Sequence, residues 1–353
     1  MRRMLVTACF IIGALVSLRS AWAGADNGTL DLYFIDVEGG AATLLVTPQG
    51  ESVLIDSGYP GNDDRDAKRI HRVATQVADL KRIDHYVTTH WHLDHYGGIA
   101  ALSKMMPVGD FWDRGIPDKL AEDAEFPKRI ALYRETSKGR SKTLKAGDTL
   151  PLKTSGDAKR PSVKLQVVVA SGEVINPRSQ QGLPNPECKQ HQPKDPDPTD
   201  NAQSLGFLLS FGDFQFLDLG DLTWNVEHKL VCPVNRLGRV DLLMVTHHGL
   251  NLSNNPVVAH TVQPRVAVIC NGPHKGAHPD VVADLRAVSS LEAVYQLHRN
   301  LDSGPEQNTA REFIANMEEK CEGQFVRASV DPAGKSYTLR IGVDGMPREY
   351  ESR

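Results

Sequence analysis

Early in the chain, apolar and polar residues alternate in short runs broken by glycine. Residues 30–36, 42–47 and 52–56 each fit one strand, with Gly39-Gly40 and Gln49-Gly50 as the turns between them, which predicts an antiparallel meander. The period then changes: Ile70, Val73, Val77 and Leu80 recur near helical spacing across 66–80. Residues 85–89 read as a short strand of buried type, and Gly97-Gly98 opens a helix through Ala101 and Leu102. The stretch 110–145 is polar and charged and predicts an excursion carrying helices. Strands return at 149–153 and 163–170, followed by a long surface loop, 176–200, rich in Pro, Gln, Lys and Asp. Segments 204–211, 214–219, 240–246 and 266–270 are strand-like, 279–288 is helical, and 324–343 alternates like a terminal hairpin. Two β-rich halves separated by helices fit an α/β chain built as a two-sheet αββα sandwich.

The N-terminus departs from this pattern. Arg2 and Arg3 precede an apolar run from Met4 to Val16, and Ala21-Trp22-Ala23 precedes Gly24, the layout of a secretory signal with its cleavage site. An uncleaved anchor is the competing reading. No other stretch approaches the roughly 20 apolar residues of a membrane span, so 24–353 is expected as a single, secreted or periplasmic domain with no stable membrane span after cleavage. Losing residues 1–23 removes three arginines and no acid, taking the formal charge from −4 to −7. That acidity, without any basic stripe, speaks against long nucleic acid as a partner and favours a small-molecule substrate. Oligomeric state is not legible. Cys188, Cys232, Cys270 and Cys321 would face an oxidising compartment, where three pairings are open. None has CxxC spacing, so they do not announce a structural zinc site.

The chemistry concentrates at His90-Trp91-His92-Leu93-Asp94-His95, directly after the predicted strand 85–89. Four ligand-type side chains within six residues are costly to bury without a cation. Imidazole and carboxylate suit zinc first, with manganese or iron as alternatives. His90 and His92 alternate and so point toward one metal, while Asp94 and His95, displaced by the turn, reach a second.

This HxHxDH run followed by Gly97-Gly98 resembles the signature of the metallo-β-lactamase superfamily, and further landmarks match in order. Leu54-Ile55-Asp56-Ser57-Gly58 looks like the early acidic motif, implying that Asp56 orients the metal loop from behind. Leu219-Gly220-Asp221 resembles the motif whose aspartate bridges two metals, and Asp241 to Gly249 resembles the last histidine motif. Asn201-Ala202-Gln203-Ser204-Leu205, the His247-His248-Gly249 pair and Ala277-His278-Pro279 are similar to the hydrolase domain of DNA-uptake channel proteins, the ComEC-like branch, and to phosphorylcholine esterases. That branch implies supporting roles for Asn201 and Ser204 beside the ligands.

The resemblance leaves two gaps. A third histidine for the first metal has no clear match: His191 is the only histidine between the cluster and Asp221 and lies in the irregular loop, so Asn201 or water stands as the substitute. The membrane helices of the channel proteins are also missing. One of His247 and His248 should ligate the second metal while the other lines the pocket. Asp218 is expected to face away or cap the turn, and Trp91 to pack beside the site. His278 is a candidate for contacting the leaving group, and His274 and His298 are weaker candidates. His71, His85, His228 and His260 read as structural or surface residues. Val37-Glu38-Gly39-Gly40 reads as a β-turn at the site mouth.

The expected reaction is hydrolysis by a dinuclear centre, in which two divalent ions share a water acidified toward a pKa of roughly 7 and the resulting hydroxide attacks. Asp94 takes part in that centre, and His278 or the spare member of the His247/His248 pair, with His248 the first choice, protonates the leaving group. The resemblance favours a phosphoester or phosphodiester. Lactone or β-lactam hydrolysis, and a binding protein that keeps its metal without turnover, are the alternatives.

Overall fold

The computed structural model describes residues 27–176 and 184–353. The expected signal segment, and the part of the predicted loop at 177–183, lie outside the described residues. The meander forms as expected: β1 (Leu30–Phe34), β2 (Thr43–Val46) and β3 (Ser52–Ile55) are antiparallel neighbours. β4 (Ile83–Val87) and β5 (Val108–Asp113) then add in parallel, and β6 (Lys142–Thr143) closes that edge. A second sheet follows from β7 (Lys164–Ala170), β8 (Glu173–Val174), β9 (Gly206–Phe211), β10 (Phe214–Asp218), β11 (Leu242–Met244), β12 (Val266–Ile269), β13 (Ala293–His298) and β14 (Ile314–Asn316). The chain finally returns to the first sheet with β15 (Val326–Val330), β16 (Ser336–Ile341) and β17 (Arg348–Glu351), β15 pairing antiparallel to β1.

Period-two alternation decides the layers. In β1, Leu32 and Phe34 face the second sheet, where they join Phe207, Leu209 and Phe216 in one buried core. Tyr33 and Ile35 face outward and are covered by α1 (Arg65–Arg72), α3 (Ile99–Met105) and α4 (Phe126–Thr136), which follow and flank the four-residue helix α2 (Leu93–Tyr96). On the far side, Leu208, Leu217 and Leu243 are covered by α5 (Trp224–Val231), α6 (Pro256–Val262) and α7 (Pro279–Arg286). Strands buried on both faces are expected for sheets roofed by helices. Each fully buried Leu or Phe contributes roughly 1.5–3 kcal/mol by removal from water, so the three apolar layers bind the sheets and helices together. The result is the αββα sandwich.

Three expectations need correction. Segment 149–153 is no strand: only Thr149 bridges to Gln166, because Pro151 cannot donate to a ladder. The excursion at 110–145 begins inside β5, and its described helix is α4 alone. The helix from 66 becomes π-helical at Val73–Val77, after α1. The strands β13, β14 and β17 and the helices α5 and α6 were not foreseen. In the described part of the predicted loop, Cys188 is joined to Cys232 by a disulfide, while Cys270 and Cys321 are free thiols. Among the described residues, no helix is long and apolar enough to cross a membrane.

Candidate metal centre

Strands β3 and β4 of the first sheet, and β10, β11 and β12 of the second, all run out toward the same edge, and the loops after them carry the candidate ligands. Ligand sites at the carboxyl ends of parallel strands are a general property of α/β sheets. Behind β4, Thr88 and Thr89 are fully buried, and Thr89 donates both its N–H and its hydroxyl to the Asp56 carboxylate at 2.8 and 2.7 Å. That tie positions the loop 90–92. Helix α2 then places Asp94 and His95 on its first turn. Gly98 lets this turn approach β3: a Cβ there would lie 2.1 Å from the Ser57 carbonyl oxygen. The turn at 37–40 lies at the site, as expected, since Ala41 N–H donates to the Asp94 carbonyl at 3.1 Å.

On the second sheet, Asp221 follows β10, and Asp218 caps the turn by accepting the Gly220 N–H at 2.9 Å. After β11 the backbone of His247 and His248 enters the left-handed region twice in succession, at φ 53° and 56°. Such residues carry strain of about 1–3 kcal/mol each unless the surroundings fix them. Here His247 N–H donates to Gly220 O at 2.9 Å, and Ala277 N–H to His248 O at 2.8 Å. The double turn aims both imidazoles at Asp221.

One carboxylate oxygen organises the centre. Asp221 Oδ2 lies 3.2 Å from His95 Nε2, 3.3 Å from His248 Nε2, 3.5 Å from His247 Nε2 and 3.8 Å from His90 Nε2. Asp94 Oδ2 lies 3.3 Å from His248 Nε2 and 3.5 Å from His95 Nε2. Asp94, His95, Asp221 and His248 thus form a buried tetrad with donor atoms all within 4.8 Å of one another.

The hydrogen-bond partners show which ring nitrogens are free. His95 Nδ1–H donates to Asp56 at 2.7 Å, and His248 Nδ1–H to the Cys270 carbonyl at 3.2 Å, since a carbonyl can only accept. Their Nε2 atoms are buried and have no hydrogen-bond partner. The Thr89 hydroxyl has spent its proton on Asp56, so it accepts from His90 Nδ1 at 3.1 Å and leaves His90 Nε2 with a lone pair. His92 Nε2 donates to Glu122 at 3.1 Å. Its Nδ1 lone pair therefore faces that of His90 across 3.1 Å, with no proton between them. Two lone pairs so placed repel unless a cation joins them. The donor set thus fits metal ions on both sides of Asp221.

Electrostatics agree. Burial opposes ionisation of Asp94 and Asp221, yet the surrounding imidazoles hold both well below the usual carboxylate range. Burial with neighbouring His95 keeps His90 neutral, its pKa well below the imidazole norm. His95 moves the other way: burial disfavours its charged form, but Asp221, Asp94 and Asp56 together raise it well above the norm. The centre attracts positive charge.

The structure sorts the remaining candidates. His247 Nδ1 bonds Ser253 Oγ at 3.0 Å, and its Nε2 joins His90 at Asp221, so it stands where the missing third imidazole of the first site was sought. His191 does not: it stacks on His228, ring centroids 3.7 Å apart, and bonds Asn255. Asn201 Nδ2 lies 3.4 Å from His247 Nε2, and buried Ser204 is tied through its N–H to Asn201 O at 3.1 Å. His278 is not brought into the cluster. It caps α7 by accepting the Asp280 N–H, and its Nε2 faces Asn251 at 3.4 Å. Trp91 packs behind the loop against Tyr96 and Tyr133, as expected. His85 bonds Glu51 and Trp112, a structural role.

Lys275 was missed. Its Nζ lies 2.5 Å from Asp94 Oδ2 and 3.3 Å from the Tyr59 hydroxyl, and although burial disfavours its charge, Asp94 and Asp221 raise its pKa. A lone lysine three residues before His278 carries no sequence signal. Ser253 and Glu122, which orient His247 and His92, were equally invisible.

Comparison with known proteins bears on the fold. The model of the metallo-beta-lactamase superfamily matches residues 35–171. No curated protein matches the sequence. Among solved structures the chain is similar to CmlA, a diiron beta-hydroxylase from Streptomyces venezuelae, at 15% identity and a TM-score of 0.42, covering 76% of this chain and 52% of that one. This chain thus spans about half the length of CmlA. A Parabacteroides distasonis protein described as a metal-dependent hydrolase aligns at 15% identity and a TM-score of 0.40, covering 77% and 94% of the two chains. A Thermotoga maritima protein described as a Zn-dependent hydrolase of the metallo-beta-lactamase superfamily aligns at 11% and 0.33, covering 76% and 98%. The matched residues, 35–171, include Asp56 and the whole cluster from His90 to His95, and the mixed α/β two-sheet fold of the chain is consistent with that of the metallo-beta-lactamase superfamily.

Proposed function

We propose that this chain is a metal-dependent hydrolase with a dinuclear centre bridged by Asp221, acting on an anionic ester, with a phosphodiester as the first substrate to test. The observation that carries the reading is the convergence of four imidazole nitrogens on one oxygen of Asp221. His90, His92 and His247 would hold one ion, Asp94, His95 and His248 the other, and Asp221 both. When bound, such ions supply Lewis acidity toward a phosphoryl or carbonyl oxygen and acidify water toward neutral pH.

The chain's own residues do the rest. Asp56, Ser253 and the Cys270 carbonyl fix the rings of His95, His247 and His248, so each presents its Nε2. Lys275 stands against Asp94 at the centre's edge with the Tyr59 hydroxyl beside its Nζ, and suits the anionic group of a substrate. His278 keeps its imidazole more than a third exposed, outside the cluster, and is assigned no proton transfer. The N-terminal signal pattern and the Cys188–Cys232 disulfide support an exported protein.

The test joins metal analysis to a panel of bis-p-nitrophenyl phosphate, a phosphorylcholine ester, nitrocefin and a lactone. Metal-dependent cleavage of the phosphodiester, abolished by His92→Ala, is the expected result. Cleavage of nitrocefin or lactone alone would make the enzyme a carbonyl hydrolase. Bound metal with no turnover, unchanged by His92→Ala, would leave a binding protein.

A further inference from the structure

A second cluster of ligand-type side chains lies apart from the centre at Asp221 and shares no residue with it. Asp36 follows β1, His298 ends β13, and Cys321 lies in the loop before β15. Asp36 and His298 are fully buried, while Cys321 is partly exposed. We propose that Asp36, His298 and Cys321 form a mononuclear zinc site.

The geometry fits that ion. Cys321 Sγ lies 3.6 Å from Asp36 Oδ2 and 4.0 Å from His298 Nε2, and Asp36 Oδ1 lies 2.8 Å from the same Nε2. Tetrahedral zinc with ordinary Zn–S, Zn–N and Zn–O bonds separates its ligand atoms by about 3.4–3.6 Å. The two Asp36 distances are to different oxygens, but one donor atom from each residue lies within 4.8 Å of the others, so shifts of about an ångström bring the three donors onto one ion. A thiolate, an imidazole and a carboxylate are a zinc set rather than a calcium or magnesium one.

Charge closes as well. The Asp36 carboxylate and a Cys321 thiolate balance a divalent ion. Arg69 holds Asp36 Oδ2 at 2.8 Å, Glu38 Oε1 at 3.0 Å, and the Cys321 carbonyl and Sγ at 3.0 and 3.6 Å; it is balanced by Glu38 and orients both anionic ligands. Binding displaces the thiol proton of Cys321 and requires His298 to carry its proton on Nδ1, so that the Nε2 now bonded to Asp36 is free for the ion. The fourth position faces solvent: Cys321 lies on the wall of a cavity of about 590 Å³ that is also bounded by Glu38, Arg65, Lys68 and Arg72. Three protein ligands with an exchangeable fourth make an open site, and the polar walls, where Asp63, Glu319 and Glu322 stand among the basic residues, suit water there.

Cobalt(II) tests this on the full-length protein, because the centre at Asp221 has no thiolate among its donors. After chelation and reloading with cobalt, a thiolate-to-cobalt charge-transfer band should appear and be lost in Cys321→Ser, with cobalt content falling by one ion per chain. In a second measurement on unaltered protein, zinc should slow alkylation of Cys321 by iodoacetamide at least about tenfold, and His298→Gln should remove that protection. Absence of the band, its survival in Cys321→Ser, or alkylation indifferent to zinc would overturn the site and leave a proton shared between His298 and Asp36.

Discussion

His95 donates its Nδ1–H to the Asp56 carboxylate at 2.7 Å, leaving its Nε2 3.2 Å from Asp221. One ring thus joins a residue behind β3 to the residue at the middle of the centre. Asp56→Asn keeps the size of the group but puts at most one acceptor where His95 and Thr89 now share two oxygens. It should weaken metal binding about 10–100-fold, as losses of such outer partners do, measured by chelator competition. Unchanged affinity would remove Asp56 from the account.

The left-handed pair His247-His248 depends on its neighbour. Gly276 has φ 84°, and a Cβ there would lie 2.1 Å from the His248 carbonyl oxygen. Gly276→Ala should therefore destabilise the fold by about 1–3 kcal/mol and displace His248, so thermal melting and metal content should fall together.

Lys275 is expected to act on substrate charge. Lys275→Met should lower kcat/KM for an anionic phosphodiester about 10–100-fold, the value of a hydrogen bond to a charged group, and change that for a neutral aryl ester far less. Equal losses on both would show that the lysine only holds Asp94 in place.

Away from the centre, Asp241 accepts the Gln215 N–H at 2.8 Å, and burial raises its carboxyl pKa from 3.8 to about 6. The folded state binds this proton more tightly than the unfolded chain. The stabilising contribution is therefore full below about pH 4 and is lost as pH rises through 6. Over that window urea-derived stability should fall by about 3 kcal/mol from this group. Asp241→Asn should flatten the slope, and an unchanged slope would contradict the assignment.

The Cys188–Cys232 bridge spans 44 residues of sequence. Replacing both cysteines by serine should cost about 4 kcal/mol in the chain-entropy account, measured by urea denaturation against the parent.

Much of this was readable because it is local. Strand alternation, the cluster from His90 to His95 and the turn glycines lie within a few residues of one another, and their spacing carries the chemistry. What escaped is long-range. His247 reaches the same carboxylate as His90 only because β10 and β11 lie side by side, and no spacing rule places it there. Lys275 approaches Asp94 across 181 residues of chain, and Asp36 approaches His298 across 262. The strand expected at 149–153 failed for a local reason, since Pro151 lies within it. His278, read from its phrase as a site residue, became a helix cap because its Nδ1 serves the Asp280 N–H.

The central claim is that Asp221 holds two ions at once. Metal content of Asp221→Ala is best compared with its parent in a Cys321→Ser background, so that only the histidine-rich centre is counted. The account predicts two ions per chain in the parent, loss of both in the variant, and a fall in phosphodiester turnover of at least about a thousandfold. A variant that kept both ions and its rate would contradict the bridge and the mechanism built on it.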